Sequence, residues 1–266
     1  MDQLKRVQDE FTRQAETFDA YAPRADVRVE ERFREALGEK AGAVLDLACG
    51  PGVVTAAVAR LATSVVAFDA TPAMLEKARK RCAEAGLENV AFRQGDAAAL
   101  PFGKGEFDSV VTRLAMHHFE APSRVLGEIF RVMRPSGRLV VADVVASEDV
   151  ADAALQNAIE NLRDPSHVRM LPLSELSSLV NAAGFDVVAR STWDKNREFD
   201  EWMAIANDSQ RAHSLRTVAR ALAASGRTAG MGLCLVDDRL VFFHRWALLV
   251  AVRRSTVGQE NPESGR

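Results

Sequence analysis

The sequence predicts an α/β fold built on a mostly parallel sheet, and two patterns carry that reading. From Ala43 onward short apolar runs alternate with helical segments, the arrangement of successive βα units. The first run, Val44 to Ala48, leads into Cys49-Gly50-Pro51-Gly52 and then a helix. This places a glycine turn at a strand's carboxyl end, the edge where open α/β sheets bind ligands. With 266 residues, 47% of them hydrophobic and 27% charged, the chain has enough apolar surface for a proper core, which excludes a disordered or fibrous protein.

Taken in order, Leu4 to Leu37 carries apolar residues at helical intervals and predicts two helices divided at Pro23. Residues 1–38 are therefore read as N-terminal cap helices. Strands are predicted at Val44 to Ala48, Val65 to Asp69, Val90 to Arg93, Phe107 to Thr112, Arg138 to Val144 and Phe185 to Ser191, with helices between them. Thr71 is placed to cap a helix whose first position is Pro72, where a missing N–H costs nothing, and Gly86 suits its end. Val125, Leu126, Ile129, Phe130 and Met133 form one helical face before the turn Pro135-Ser136-Gly137. Ser174 is placed to cap the helix that ends at Gly184, and Glu198 to Ala224 reads as wholly helical. Leu233 to Val236, Asp237-Asp238-Arg239 and Leu240 to Val252 read as an antiparallel hairpin. The main domain thus spans 39–254, insertions at 147–173 and 193–231 complete the cap, and the polar residues 255–266 are expected to be a mobile tail.

Charge narrows the partners. Lys and Arg number 34 against 37 Asp and Glu, a net −3 without a basic run, so no electrostatic footprint for nucleic acid exists. The apolar run Trp246 to Val252 is far too short to span a bilayer. Asp2, Lys5, Arg6, Asp9 and Glu10 stand where a secretion signal would be apolar, so a cytoplasmic location is expected. Cys49, Cys82 and Cys234 fit neither a disulfide framework nor paired zinc ligands, and no metal is expected.

The chemistry gathers at one sheet edge. Gly50 and Gly52 let the backbone approach a nucleotide-like ligand closely. The second strand ends in Asp69, whose carboxylate can accept from both hydroxyls of a ribose. The third leads to Gln94-Gly95-Asp96-Ala97, where Asp96 suits an adenine amino group or, alternatively, a turn bonded to its own backbone. A dinucleotide fingerprint would place glycine or alanine at position 55, where this chain has Thr55, and it also lacks the usual first glycine. A nicotinamide-dependent oxidoreductase is accordingly the weaker reading.

With these signals in order, the chain resembles the class I methyltransferases that use S-adenosylmethionine, particularly the ubiquinone and menaquinone C-methyltransferase branch. Further matches are Leu100-Pro101-Phe102, Phe107-Asp108-Ser109-Val110-Val111, Leu114-Ala115-Met116-His117-His118-Phe119 and Arg134-Pro135-Ser136-Gly137-Arg138-Leu139. The resemblance covers residues 40 to 145 well and implies a Rossmann-like sheet of seven strands, the last antiparallel. It implies that Asp46, Ala48, Gly50 and Gly52 wrap the methionine part of the cofactor. Asp69 would meet the ribose, Asp96 and Ala97 the adenine, and Ala70 would border the cofactor; Met74 would flank the adenine, against plain core packing. Arg113 and Leu114, at the fourth strand's end, would complete the cofactor site, with Arg113 either facing the cofactor's carboxylate or playing a structural part. Ala48 stands where many relatives have glycine, and still leaves a small side chain there.

The sulfonium is already an activated methyl donor, so the protein must position the acceptor, exclude water and, for some acceptors, remove a proton. His117 and His118 are the candidate bases, against a structural role for either. Phe11, Phe18 and Tyr21 in the cap and Trp202 in the insertion are candidates for the substrate pocket, although the stripe Phe199, Trp202, Met203 and Ile205 also fits plain core packing. The expected function is methyl transfer to a small apolar or aromatic metabolite, with the acceptor atom open among carbon, oxygen, nitrogen and sulfur. A non-catalytic protein that binds S-adenosylmethionine is the alternative. An exposed apolar face on the insertion would suit a homodimer.

Overall fold

The computed structural model describes residues 2–25, 28–38 and 40–255. Three helices come first, α1 (Gln3–Arg13), α2 (Ala15–Ala25) and α3 (Val29–Leu37). Alternation then follows: β1 (Ala43–Leu47), α4 (Val53–Ala59), β2 (Ser64–Asp69), α5 (Pro72–Glu84), β3 (Val90–Gln94) and β4 (Phe107–Arg113). After a 3-10 turn at Met116–His118 come α6 (Pro122–Val132), β5 (Met133–Val144), α7 (Val150–Arg163) and α8 (Leu173–Ala182). The chain closes with β6 (Phe185–Glu198), α9 (Phe199–Ala206), α10 (Ser209–Ala224), β7 (Cys234–Val236) and β8 (Arg239–Arg253).

The strands form one sheet in the order β3-β2-β1-β4-β5-β8-β6, with β7 added beside β8. Pairing is parallel from β3 through β5, while β8 runs antiparallel to both β5 and β6. Because strand side chains alternate faces, each central strand serves two cores. Leu45, Val110 and Leu139 pack with Leu126, Ile129 and Val180 of α6 and α8. Their neighbours Val44, Val111 and Val140 pack on the opposite face with Phe33 and Val58 of α3 and α4.

The cap wall grows out of the sheet itself. β5 ends at Val144, opposite Trp246, whereas β8 and β6 continue past that edge to the pair Val241 and Glu198. On this extension α9 and α10 build a separate core from Trp202, Met203, Leu215, Met231, Leu240 and Phe242. Among the described residues no helix is long and apolar enough to cross a membrane.

Several expectations are corrected in detail. The N-terminal segment has three helices, and the first division falls at Gln14 while Pro23 lies inside α2, in its last turn. The sixth strand runs on to Glu198 because it pairs with β8 throughout. Glu198 to Ala224 is two helices: Asn207 adopts a left-handed conformation (φ 51°), and the Asp208 side chain accepts from the Arg211 N–H to cap the second. Ser174 does not cap α8, since its own N–H donates to Glu148 at 3.0 Å. Thr71 makes no side-chain cap bond and closes the first turn of α5 through its carbonyl. Pro135-Ser136-Gly137 lies within β5. The expected seven-strand path is present, and β7 is an eighth strand, joined to β8 through Asp237 and Asp238, both at positive φ. The expected tail, beyond Ser255, lies outside the described residues.

Candidate functional site

At the carboxyl end of β1 the backbone turns sharply through Ala48, Gly50 and Gly52, with φ of 54°, 53° and 78°. The turn is tied to β2 by the Cys49 N–H, which donates to the Phe68 carbonyl at 3.1 Å. Asp69 ties it a second time, accepting from the Gly50 N–H on one oxygen and the Thr71 N–H on the other, both at 2.8 Å. A carboxylate oxygen accepts more than one hydrogen bond, so Asp69 keeps capacity for ligand hydroxyls. Burial nevertheless raises its pKa. Asp46 is buried behind it and accepts from Thr55 Oγ1 at 2.5 Å. Burial first, then the nearby Asp69 charge, outweighs the Thr55 hydrogen bond and pushes the Asp46 pKa up to about 7.

These residues border a cavity of ≈ 320 Å³ between the sheet edge and the N-terminal helices. Asp46, Ala48, Gly50, Asp69, Ala70, Met74, Asp96, Ala97, Arg113 and Leu114 all line it. Gly52 does not. A Cβ there would stand 2.8 Å from Ala78 Cα, so this glycine permits the close approach of α4 and α5. Asp96 closes a turn, one oxygen accepting from the Ala98 N–H at 2.9 Å, and the residue also borders the cavity. Gly95 has no room for a side chain, because a Cβ would lie 2.5 Å from the Phe68 ring.

The helices α1 and α2 roof this cavity and are fastened to backbone beneath it. Gln3 Nε2 donates to the carbonyls of His118 (3.1 Å) and Ser166 (2.7 Å), and Gln8 Nε2 to that of Ala70 (3.0 Å). Glu10 accepts from Arg211 at 3.0 and 3.1 Å, and Thr17 Oγ1 donates to the Ile205 carbonyl at 2.7 Å, which joins the roof to the α9 and α10 wall.

A second chamber of ≈ 70 Å³ shares Phe11, Phe18, Leu114 and His118 with the first. Tyr21 and Trp202, both expected in a substrate pocket, lie here, and Trp202 is at once core and wall. The two histidines differ in their surroundings. His117 Nδ1 lies 2.6 Å from Asp143 Oδ1, and Asp143 also accepts the N–H groups of Ala115 (3.1 Å), Met116 (2.7 Å) and Val144 (2.7 Å). Burial pulls the His117 pKa down, but the Asp143 charge and hydrogen bond outweigh it, and the net shift is upward. His118 Nδ1 lies 3.0 Å from the Ser166 carbonyl, so that nitrogen carries the proton. Burial, followed by the neighbouring His117 charge, lowers the His118 pKa to about 4, which keeps it neutral at pH 7.

Sequence reasoning missed Asp143, Glu160, His167 and Arg197. Asp143 had a signal, being the lone charge in the apolar run Leu139 to Val145. Its burial obliges it to find partners. The other three sit on poorly patterned insertion or extension segments, and only the folding of β6, α7 and β8 around the chamber brings them together.

The arrangement is a glycine-turn cleft with acids at successive strand ends, joined to a histidine-bearing chamber on a 3-2-1-4-5 parallel sheet with an antiparallel strand beside it. It is the fold of a class I methyltransferase. A family profile described as a methyltransferase domain matches residues 39–215, and the chain belongs to that family. That family is one of S-adenosylmethionine-dependent methyltransferases. The chain is 35% identical over 160 residues to an uncharacterized methyltransferase of Bacillus subtilis (strain 168), YcgJ, a match covering 60% of this chain and 63% of that protein. The crystal structure of YcgJ superposes with a TM-score of 0.79 at 27% identity, covering 86% of this chain and 100% of that one. A demethylmenaquinone methyltransferase of Thermus thermophilus is 40% identical over 122 residues, which is 45% of this chain and 55% of that protein. In sequence, therefore, the chain aligns with less than two thirds of the length of either relative.

Proposed function

We propose that the protein transfers the methyl group of S-adenosylmethionine to a small acceptor seated in the second chamber. The observation that carries this reading is the junction of the two cavities at Leu114 and His118, beside an imidazole held by a buried carboxylate. The donor set suits the cofactor. Asp69 offers a carboxylate at the height of a ribose, Asp96 and the Ala97 N–H offer one acceptor and one donor for an adenine edge, and Met74 forms an apolar wall. Asp46 faces the cavity as the partner for an ammonium group, which would favour its ionised form. When bound, the cofactor supplies a methyl group already activated on a sulfonium.

The remaining work falls to this chain. The roof of α1 and α2 excludes water from the cleft. Phe11, Phe18 and Trp202 wall the acceptor body, and position its reacting atom toward Leu114. His117 takes the acceptor's proton at Nε2, since Nδ1 faces Asp143, and Asp143 stabilises the resulting imidazolium. His118 is a positioning residue, holding the Ser166 loop against the turn after β4. This role for His117 restricts the acceptor to a group that loses a proton, such as a hydroxyl, a thiol or an acidic carbon.

The test is an acceptor screen that reads S-adenosylhomocysteine release from the wild type and from His117→Ala. Turnover with at least one proton-bearing acceptor, lost in the variant while cofactor binding persists, supports the reading. Cofactor binding without turnover across hydroxyl, thiol and carbon acceptors would favour a non-catalytic binding protein.

A further inference from the structure

One wall of the second chamber is a chain of charged and aromatic groups drawn from α2, α7, β6, α9 and β8. Arg197 of β6 stacks over the Tyr21 ring at 5.1 Å, donates from Nη1 to the Tyr21 hydroxyl, and donates from Nε to His244 Nδ1 at 3.3 Å. His244 Nε2 lies 2.8 Å from Glu160, whose other oxygen lies 3.8 Å from Arg163. Arg163 in turn stacks over Trp202 at 4.9 Å. Stacking fixes each guanidinium plane on an aromatic face and leaves its edge for in-plane hydrogen bonds.

Resting on the methyl-transfer reading above, we propose that this chamber selects acceptors bearing a carboxylate, held by Arg163 and Arg197 while the reacting atom faces His117. Hydrogen-bonding groups on this wall are left unanswered. Both chamber carboxylates already have partners, although His244 Nε2, 2.8 Å from Glu160, makes no well-directed hydrogen bond to it. Glu160 is held by His244 and Arg163, and Asp164 accepts from the Ser166 N–H (2.9 Å), Ser166 Oγ (2.6 Å) and Gln14 Nε2 (3.4 Å). The donors are not all satisfied. Arg163 Nε is buried and hydrogen-bonds to nothing among the described residues, and the bonds of Arg197 leave Nη2 uncommitted there. A buried donor without a partner is costly, so the occupant that gains most brings an acceptor oxygen, and an anionic one forms the stronger charge-assisted bond. A cationic head group would meet carboxylates already engaged and two guanidiniums that repel it. The ≈ 70 Å³ of the chamber limits the head group to something compact, with the acceptor's apolar body extending along Phe11 and Phe18 toward the larger cavity.

The experiment uses the full chain saturated with S-adenosylhomocysteine and three probes that share one ring, benzoate, benzamide and benzylamine, read by thermal shift and calorimetry. Benzoate is expected to bind about tenfold or more tightly than the neutral and cationic probes. Arg163→Gln and Arg197→Gln are each expected to weaken benzoate by about tenfold while the shift with S-adenosylhomocysteine is kept. Should one variant melt early without ligand, the other carries the comparison. The proposal is overturned if benzamide or benzylamine binds as tightly as benzoate, if benzoate does not bind at millimolar concentration, or if both variants bind it as the wild type does. Absence of any shift with S-adenosylhomocysteine would instead sink the cofactor assignment, and this proposal with it.

Discussion

His117 and Asp143 form an imidazole–carboxylate pair, Nδ1 to Oδ1 at 2.6 Å, in which the buried carboxylate is anchored by three backbone N–H groups and the imidazole borders the chamber. The turn after β4 is thereby locked to the end of β5. Both the tautomer and the basicity of His117 follow from this contact.

Asp143→Asn is expected to cut kcat by about 10² to 10⁴, the usual contribution of general base catalysis. The base works as neutral imidazole, and Asp143 holds the His117 pKa above its ordinary value. In the wild type the rate should therefore rise with pH through a midpoint above about 6.5. In the variant that midpoint should move to lower pH, with a lower plateau and an unchanged KM for S-adenosylmethionine. A pH–rate profile checks this, and an unshifted midpoint would remove His117 from the base role.

With the cofactor placed as proposed, its affinity should depend on pH through Asp46. With its pKa at about 7, raised by burial, it is half protonated near neutrality, and a cofactor ammonium requires the ionised form. The Kd for S-adenosylhomocysteine should rise as pH falls below 7, approaching about tenfold per unit. Asp46→Asn should bind weakly and flatten that dependence between pH 5 and 7, as read by calorimetry.

Gly52→Ala tests the turn. At φ 78° a side chain costs about 1–2 kcal/mol, and the new Cβ would meet Ala78 Cα at 2.8 Å, adding overpacking of about 1–3 kcal/mol. Urea unfolding should report a loss of at least about 2 kcal/mol, together with weakened cofactor binding. A neutral substitution would mean that α4 and α5 can separate freely.

His118 links stability to acid. Its folded pKa of about 4 lies below its unfolded value, so its contribution is complete above about pH 6.5 and is lost as pH falls toward 4, at most about 3 kcal/mol. Asp46 and Asp69, with raised pKa values, act in the opposite sense over part of that window. The informative quantity is accordingly the difference between wild type and His118→Gln, which should shrink from pH 7 to pH 4 in urea titrations.

The βα core was legible because its strands are largely buried and read as apolar runs, such as Val65 to Phe68 and Leu139 to Ala142, each closed by an acid, Asp69 and Asp143. The candidate cofactor edge was legible because Asp69 ends one strand and Asp96 stands just past another, so spacing along the chain fixes their place in space. The proposed acceptor chamber was not. Arg163, His167, Arg197 and His244 come from three segments whose apposition depends on β6 and β8 overrunning the sheet edge, and exposed residues such as Arg190, Ser191 and Thr192 give the middle of β6 no apolar pattern to follow. The helix break at Asn207 was readable in principle, as an Asn-Asp pair that can end one helix and cap the next.

The most direct test is calorimetric titration of S-adenosylhomocysteine into the wild type and Asp69→Ala. The account predicts one site per chain and affinity weakened by at least about tenfold in the variant, the scale of a lost charge-assisted hydrogen bond. No binding at millimolar ligand, or equal affinity in both proteins, would contradict the placement of the cofactor between the glycine turn and the N-terminal roof.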